Sequence, residues 1–275
     1  FAHELKALQP DFIYHIGGHT QLSMLQIIHL AKKYCPKAKI MGFSMRGPHH
    51  NINNRLIKGF SLSALKSRLS YLYWLPRLKY INKHVDIFFC HYPDALQAFK
   101  DEGFTKPIYM QTQVGFNKDW FHPDEDARKE IRDKYDLGDS YVFGSASRFS
   151  WSKGLDDIIA ALPKDGNWKY LMMGSGTEEE TNRLQKAIKD RQLEDKIIVT
   201  GFIDWYDMTK YWNAIDCALH VPRTTYGWVE TFSLSVVQAM ASGKPIIGSD
   251  SGSVPYQIGP DGIIIKEGDI DSLHD

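Results

Sequence analysis

The chain has 275 residues, 43% of them hydrophobic and 24% charged. Disorder, collagen and coiled coil are excluded, and the length suffices for two domains or one large α/β domain. Net charge is zero but unevenly placed: residues 1–123 hold 16 Lys/Arg against 7 Asp/Glu, a net of +9, while residues 124–275 hold 17 against 26, a net of −9.

In chain order, residues 1–8 read as a helix already under way, and 11–16 (DFIYHI) as a buried strand ending at Gly17-Gly18. Helical spacing follows over 22–33, a strand over 39–43, helical spacing over 62–75, a strand over 86–90, a helix over 93–102 and a strand over 108–110. This alternation predicts a parallel sheet covered on both faces. After Phe121-His122-Pro123 the composition turns charged (DEDARKEIRDKYDLGDS), which marks the best domain boundary. Alternation then resumes. Strands are read at 141–145, 169–173, 196–200, 217–220, 245–248 and 262–265, with helices at 155–162, 178–190, 207–213, 234–241 and 254–258. The fold class is therefore α/β: two tandem Rossmann-like doubly wound domains, 1–123 and 124–275. Such a pair leaves a cleft at the carboxyl ends of the strands, where ligands bind.

Three widely spaced cysteines, Cys35, Cys90 and Cys217, suit neither a disulfide framework nor a zinc site, so a reducing, cytoplasmic setting is expected. The opening residues lack the basic and apolar regions of a secretion signal, and no apolar run reaches a membrane-spanning length. Between Asp11 and Asp86 there is no acidic residue and there are twelve Lys/Arg. That half should attract anions. With Phe60, Tyr71, Tyr73 and Trp74 among its bases, the helix near 62–75 suits an anionic membrane surface, and equally a helix packed on the sheet with a basic outer face.

The strongest chemical signal is ETFSLSVVQAMA (230–241). Thr231, Phe232 and Ser233 turn the chain into a helix starting at Leu234 and Ser235, whose open N–H groups and partial positive charge suit a diphosphate. A carboxylate just before it would repel phosphate, so Glu230 is assigned to sugar hydroxyls. Gln238, one turn on, could reach a ribose. In SASRFSWSKG (145–154), Arg148 and Lys153 stand at a strand's carboxyl end beside a helix start, a forked donor and a point charge for a diphosphate. Gly174-Ser175-Gly176 follows another strand and lets the backbone approach a ligand, although it is no full dinucleotide fingerprint. Gly201-Phe202-Ile203, after the strand at 196–200, reads either as facing a nucleobase, with Ile203 toward it, or as a plain turn. In the first half, Gly17 and Gly18 allow close approach on the acceptor side, and either His15 or His19 points to the chemistry.

Together these segments resemble the family-4 retaining glycosyltransferases of GT-B fold. DFIYHIGGHT resembles the family's strand and His-rich loop, and QVGFNKDWFHP its interdomain segment. SASRFSWSKG resembles its phosphate motif, MMGSGTEEE its Gly-x-Gly segment, and ETFSLSVVQAMASGKPIIGSDSGSVP its Glu-x7-Glu motif and following strand. The resemblance implies two Rossmann-like domains facing across a cleft, the N-terminal one incomplete. It also implies that Arg148 and Lys153 bind the donor diphosphate, that Glu230 holds sugar hydroxyls, that backbone around 233–235 contacts phosphate or sugar, and that a His of the first domain lies near the anomeric carbon. Two positions depart: Gln238 stands where the family has its second Glu, and Tyr256 where it has an acid. The family's first glycine-rich loop would precede residue 1, so the chain is read as truncated at both ends.

The expected activity is retaining transfer of a sugar from a nucleotide-diphosphate donor, UDP or GDP type, to an acceptor hydroxyl in surface polysaccharide or glycolipid synthesis. No cofactor is expected, and, with no Asp-x-Asp pair near a strand end, no metal. The expected partners are the nucleotide sugar, a carbohydrate or lipid-linked acceptor and an anionic membrane surface, with no nucleic acid. The expected location is the cytoplasm, peripheral at the inner membrane face. The alternatives are a sugar-nucleotide epimerase of the same fold and a non-catalytic anionic-polymer-binding module.

Overall fold

A computed structural model describes residues 1–17, 21–44, 62–112, 114–225 and 228–275, with the backbone alone for 62–68, 70 and 71. They form two compact units, Phe1–Gln113 and Val114–Asp275. The boundary precedes the Pro123 expectation because the intervening segment packs on the second unit. Phe121 is buried in that unit's core, Thr209 Oγ1 donates to Trp120 O at 2.6 Å, and Asn213 Nδ2 donates to His122 O at 3.0 Å.

The first unit comprises α1 (Ala2–Leu8), β1 (Phe12–Ile16), α2 (Leu22–Tyr34), β2 (Lys39–Ser44), α3 (Leu62–His84), β3 (Ile87–Cys90), α4 (Pro93–Asp101) and β4 (Ile108–Met110). The four strands are parallel in the order β1-β2-β3-β4. The core joins Met24 and Ile28 of α2 to Ile81 of α3 and to the rings of Phe88, Phe99 and Phe104, whose centroids lie 4.9 to 5.1 Å apart. Two expectations are corrected. β1 pairs on one side only among the described residues, and it alternates, with Ile13 and His15 buried and Phe12, Tyr14 and Ile16 exposed. An apolar run does not by itself distinguish an edge strand from a central one. The helix read as ending before Pro76 continues to His84. Proline removes one N–H from the ladder, and the Arg77 guanidinium donates to the Tyr73 carbonyl on the preceding turn while stacking 3.4 Å over the Tyr73 ring.

The second unit comprises α5 (Glu125–Lys134), β5 (Tyr141–Ala146), α6 (Leu155–Ala161), β6 (Trp168–Met173), α7 (Glu178–Arg191), β7 (Ile197–Gly201), α8 (Met208–Ala214), β8 (Cys217–His220), α9 (Leu234–Ala241), β9 (Ile246–Ser249), α10 (Val254–Ile258), β10 (Ile263–Ile265) and α11 (Ile270–His274). All six strands are parallel, in the order β10-β9-β8-β5-β6-β7. Strand residues alternate between two cores. Leu171, Met173 and Ala218 join Trp212 and Val236 on one face, and Tyr170, Met172, Cys217 and Leu219 join Ile158 and Leu184 on the other. Period-two alternation with both sets buried is what a doubly covered parallel sheet requires. Between β5 and β8 the strand order reverses, which opens a crevice beyond their carboxyl ends.

At the amino ends of these two strands, Asp216 accepts from Arg128 Nη2 at 2.6 Å and from Val142 N at 2.7 Å, tying α5 to the entries of β5 and β8. The three cysteines are buried and free. Among the described residues no helix is long and apolar enough to cross a membrane. Of the proposed membrane helix, Leu69, Leu72 and Tyr73 are exposed. Phe60 and the side chains of Lys66, Arg68 and Tyr71 lie outside the described residues.

Candidate active site

The site is built at the reversal point of the second sheet. After β5 the chain passes Ser147 and Arg148, and Phe149 N donates to Ser175 O at 2.7 Å. A 3₁₀ turn, Trp151–Lys153, then leads through Gly154 into α6. Gly154 has φ 67°, and a Cβ there would stand 1.9 Å from the Val221 carbonyl oxygen. No other residue fits, and that contact sets Lys153 beside the loop that follows β8.

That loop delivers Glu230. Its backbone is pinned, because Glu230 O accepts from Ser253 N at 2.8 Å and a Cβ on Gly252 would fall 2.1 Å from the same oxygen. Arg223, earlier in the loop, forks onto the buried Asp157 of α6, with Nε at 2.7 Å from Oδ2 and Nη2 bonded to Oδ1. Thr224 N donates to Glu267 Oε2 at 2.6 Å. Thus the loop is tied on both flanks before it reaches the site.

Lys153 Nζ donates to Glu230 Oε2 at 2.6 Å and lies 4.4 Å over the Trp228 ring. The two side chains are 17% and 7% exposed, so the pair is largely desolvated. His220, the last residue of β8, brings Nε2 to 3.6 Å from the same Glu230 oxygen, just beyond hydrogen-bond reach. Burial alone would raise the Glu230 carboxyl. The adjoining His220 and Lys153 outweigh it and hold the group below the ordinary carboxylate range.

α9 starts beside this cluster. Ser233 caps it, its hydroxyl accepting from Val236 N at 3.4 Å. Gln257 of α10 brackets the cap, with Oε1 2.8 Å from Ser233 N and Nε2 3.1 Å from Ser233 O. Ser235 Oγ donates to Ala146 O at 2.5 Å, docking α9 on the end of β5. The N–H groups of Leu234 and Ser235 have no partner among the described residues. Thr231 and Phe232 are half-buried.

Beyond β5, β6 and β7 lies a pocket of about 280 Å³, lined by Ala146, Arg148, Met173, Gly174, Phe202, Ile203 and Met208 among others. Its walls are mostly apolar. Arg148 is exposed at its rim, without a partner among the described residues. The structure thus brings Arg148, Gly174 and Ile203 to one pocket, and Lys153 and Glu230 to one ion pair.

Other placements differ from the sequence reading. At Gly174, φ is 130° and a Cβ would fall 1.9 Å from Ser147 O; at Gly176 it would fall 2.6 Å from Phe149 Cβ. The close approach these glycines permit is of chain on chain, joining the β5 and β6 loops. Gln238 is buried, and its Oε1 accepts from the Trp212 indole at 3.1 Å, facing the core between α8 and α9. In the first unit His15 is buried, its Nε2 3.0 Å from Ser23 Oγ, and burial lowers its imidazole below the ordinary value. A Cβ on Gly17 would crowd Gln21 Oε1 at 2.7 Å and His15 Cε1 at 2.9 Å. Gly18 and His19 lie outside the described residues. Sequence reasoning missed His220, Trp228, the Arg223–Asp157 brace and Gln257. A signal existed for His220, the one polar residue closing the run CALH.

The family model of glycosyl transferases group 1 matches residues 127–275. A GDP-mannose-dependent alpha-(1-6)-phosphatidylinositol monomannoside mannosyltransferase of Mycolicibacterium smegmatis is 29% identical over 167 residues, 58% of this chain and 43% of that protein. A GDP-mannose-dependent monoacylated alpha-(1-6)-phosphatidylinositol monomannoside mannosyltransferase of Corynebacterium glutamicum is 27% identical over 205 residues, 71% of this chain and 53% of that protein. The chain therefore spans about half the length of these curated relatives. Among solved structures, Anabaena Alr3699/HepE in complex with UDP superimposes with a TM-score of 0.74 at 18% identity, covering 99% of this chain and 69% of that one. Sucrose-phosphate synthase from Thermosynechococcus elongatus gives 0.71 at 19%, covering 100% and 66%. At such identity the likeness shows the fold, two Rossmann-like units of GT-B type.

Proposed function

The chain belongs to the group 1 glycosyl transferases, and from that premise we propose that it serves a nucleotide-sugar-dependent glycosyltransferase of the retaining kind. The observation that carries this is the Lys153–Glu230 pair at the reversal point, beside an apolar pocket rimmed by Arg148. The mostly apolar pocket is assigned the nucleobase. Arg148, Lys153 and the Leu234 and Ser235 N–H groups then converge on the diphosphate and neutralise charge as the glycosidic bond breaks. Glu230 takes sugar hydroxyls. This charge work is assigned to side chains and a helix start rather than to a metal. The acceptor hydroxyl attacks from the face the nucleotide leaves, passing its proton to the departing phosphate.

The first unit, with its net positive charge, is assigned the acceptor, a lipid-linked or glycan hydroxyl. Its binding to an anionic membrane surface belongs to the same proposal. The relatives' use of GDP-mannose and the neighbour's complex with UDP make these two nucleotides the donor types to test first. His15, whose imidazole burial lowers below the ordinary value, is the described candidate near the acceptor.

The test is transfer of labelled sugar from UDP-glucose or GDP-mannose to a lipid extract by the full protein. Lys153→Ala and Glu230→Gln should each lower transfer by about 100-fold or more while circular dichroism stays unchanged. Full activity in both variants would overturn the assignment.

A further inference from the structure

Lys153 and Glu230 occupy one another, with Nζ 2.6 Å from Oε2. On the donor-site reading above, on which this inference rests, the lysine belongs on the diphosphate and the carboxylate on sugar hydroxyls. A diphosphate that draws Lys153 away strips a carboxylate only 7% exposed of its counter-charge. An uncompensated buried charge is costly, and that cost would be taken from donor affinity. Backbone movement offers no relief, since Ser253 N and Gly252 fix the Glu230 carbonyl.

One group stands ready to replace the lysine. His220 is nine-tenths buried at the end of β8, and its Nε2 has no hydrogen-bond partner among the described residues. It faces the same Glu230 oxygen from 3.6 Å, so a side-chain movement of about half an ångström makes the bond. Buried polar nitrogens are rarely left without a partner, and this one is aimed at the atom whose existing bond the ligand must break. A neutral imidazole carrying its proton on Nε2 suffices, so no change of net charge is needed. Trp228, 4.4 Å beneath Nζ, keeps the lysine over an aromatic face as it turns.

We propose that His220 is a positioning residue for Glu230: when the donor diphosphate takes Lys153, the His220 N–H takes Glu230 Oε2, and the carboxylate stays ionised and aimed at the sugar. Affinity for the nucleotide diphosphate then depends on an N–H donor at position 220, although that side chain touches no part of the ligand.

The experiment is calorimetric titration of the full chain with UDP and with GDP, comparing the parent with His220→Leu, His220→Gln and His220→Asn. Gln carries an amide N–H close to the place of Nε2; Asn is too short to reach, and Leu has no donor. The tighter nucleotide should lose 10-fold or more on Leu and Asn and recover to within about 3-fold on Gln. If Leu fails to fold, the contrast of Gln with Asn carries the same test. A Gln variant as weak as Asn, or Leu binding as tightly as the parent, overturns the proposal while leaving the donor site standing. A parent that binds neither nucleotide overturns both. A second readout runs alongside: with the tighter nucleotide at saturation, the Glu230 carboxyl, followed by ¹³C NMR against pH, should titrate higher in His220→Leu than in the parent. An unchanged midpoint counts against the coupling.

Discussion

Glu230 is an acid whose neighbours outweigh its burial, and this fixes a sign. Its folded value is depressed, so its contribution to stability is present above its unfolded value of about 4.3 and is lost as pH falls through the lower folded value. Glu230→Gln should therefore flatten the acid limb of thermal melts taken from pH 7 to pH 3. An equally steep limb in the variant would show that the carboxylate is not held by its partners. Gly154 offers a steric test at the same scale. Its left-handed backbone and the 1.9 Å approach to Val221 O leave no room for a methyl group. Gly154→Ala should cost about 3 kcal/mol or more, seen as a clear fall in Tm. A Tm within about 2 °C of the parent would contradict the packing described.

At the scale of elements, the loop between β8 and α9 is held by charges outside the site. Asp157 is 4% exposed and its carboxylate takes the Arg223 guanidinium in a forked bond. Asp157→Ala leaves that guanidinium without its partner and should destabilise the second unit by about 3 kcal/mol. Because the loop carries Glu230, nucleotide affinity should fall as well. A variant that lost stability but bound nucleotide as before would separate the brace from the site. Element boundaries are legible where local chemistry punctuates the chain. α9 and β8 can be read to the residue because Ser233 caps the one and an apolar run of three closed by His220 makes the other. From sequence α3 reads as ending at Leu75, before Pro76, because the sequence does not display the Arg77 contact that supports the next turn.

The candidate site is legible in its charges and illegible in its partnerships. Arg148, Lys153 and Glu230 stand at strand ends and helix starts, where spacing alone locates them. That Lys153 and Glu230 meet depends on contact across 77 positions, which no local pattern encodes. Gln238 shows the converse: helical spacing puts it near a ribose, whereas the Trp212 indole nitrogen, buried on α8, claims its carbonyl.

For the whole molecule, acid should act on the two units at different pH. In the first, burial lowers His91 to about 4, with its ring 4.5 Å from Phe43. The unfolded imidazole takes up its proton near about 6.5, so that unit's stability is full above this value and declines from there down to about 4, by on the order of 3 kcal/mol. The second unit's Glu230 contribution is lost only at lower pH. On acidification from pH 7 to pH 5, hydrogen exchange should therefore quicken first in residues 1–113, and His91→Phe should remove much of that slope. Equal loss of protection in both units, or a slope unchanged in the variant, would contradict this.

On the proposed function, the second unit binds a nucleotide diphosphate through Lys153 at the reversal point of its sheet. The most direct measurement is isothermal titration of the chain with UDP, GDP and ADP in the presence of EDTA, beside Lys153→Ala. Binding of one nucleotide by the parent, weakened 10-fold or more in the variant, is the predicted result. Equal binding by parent and variant, or none by a folded parent, would contradict it.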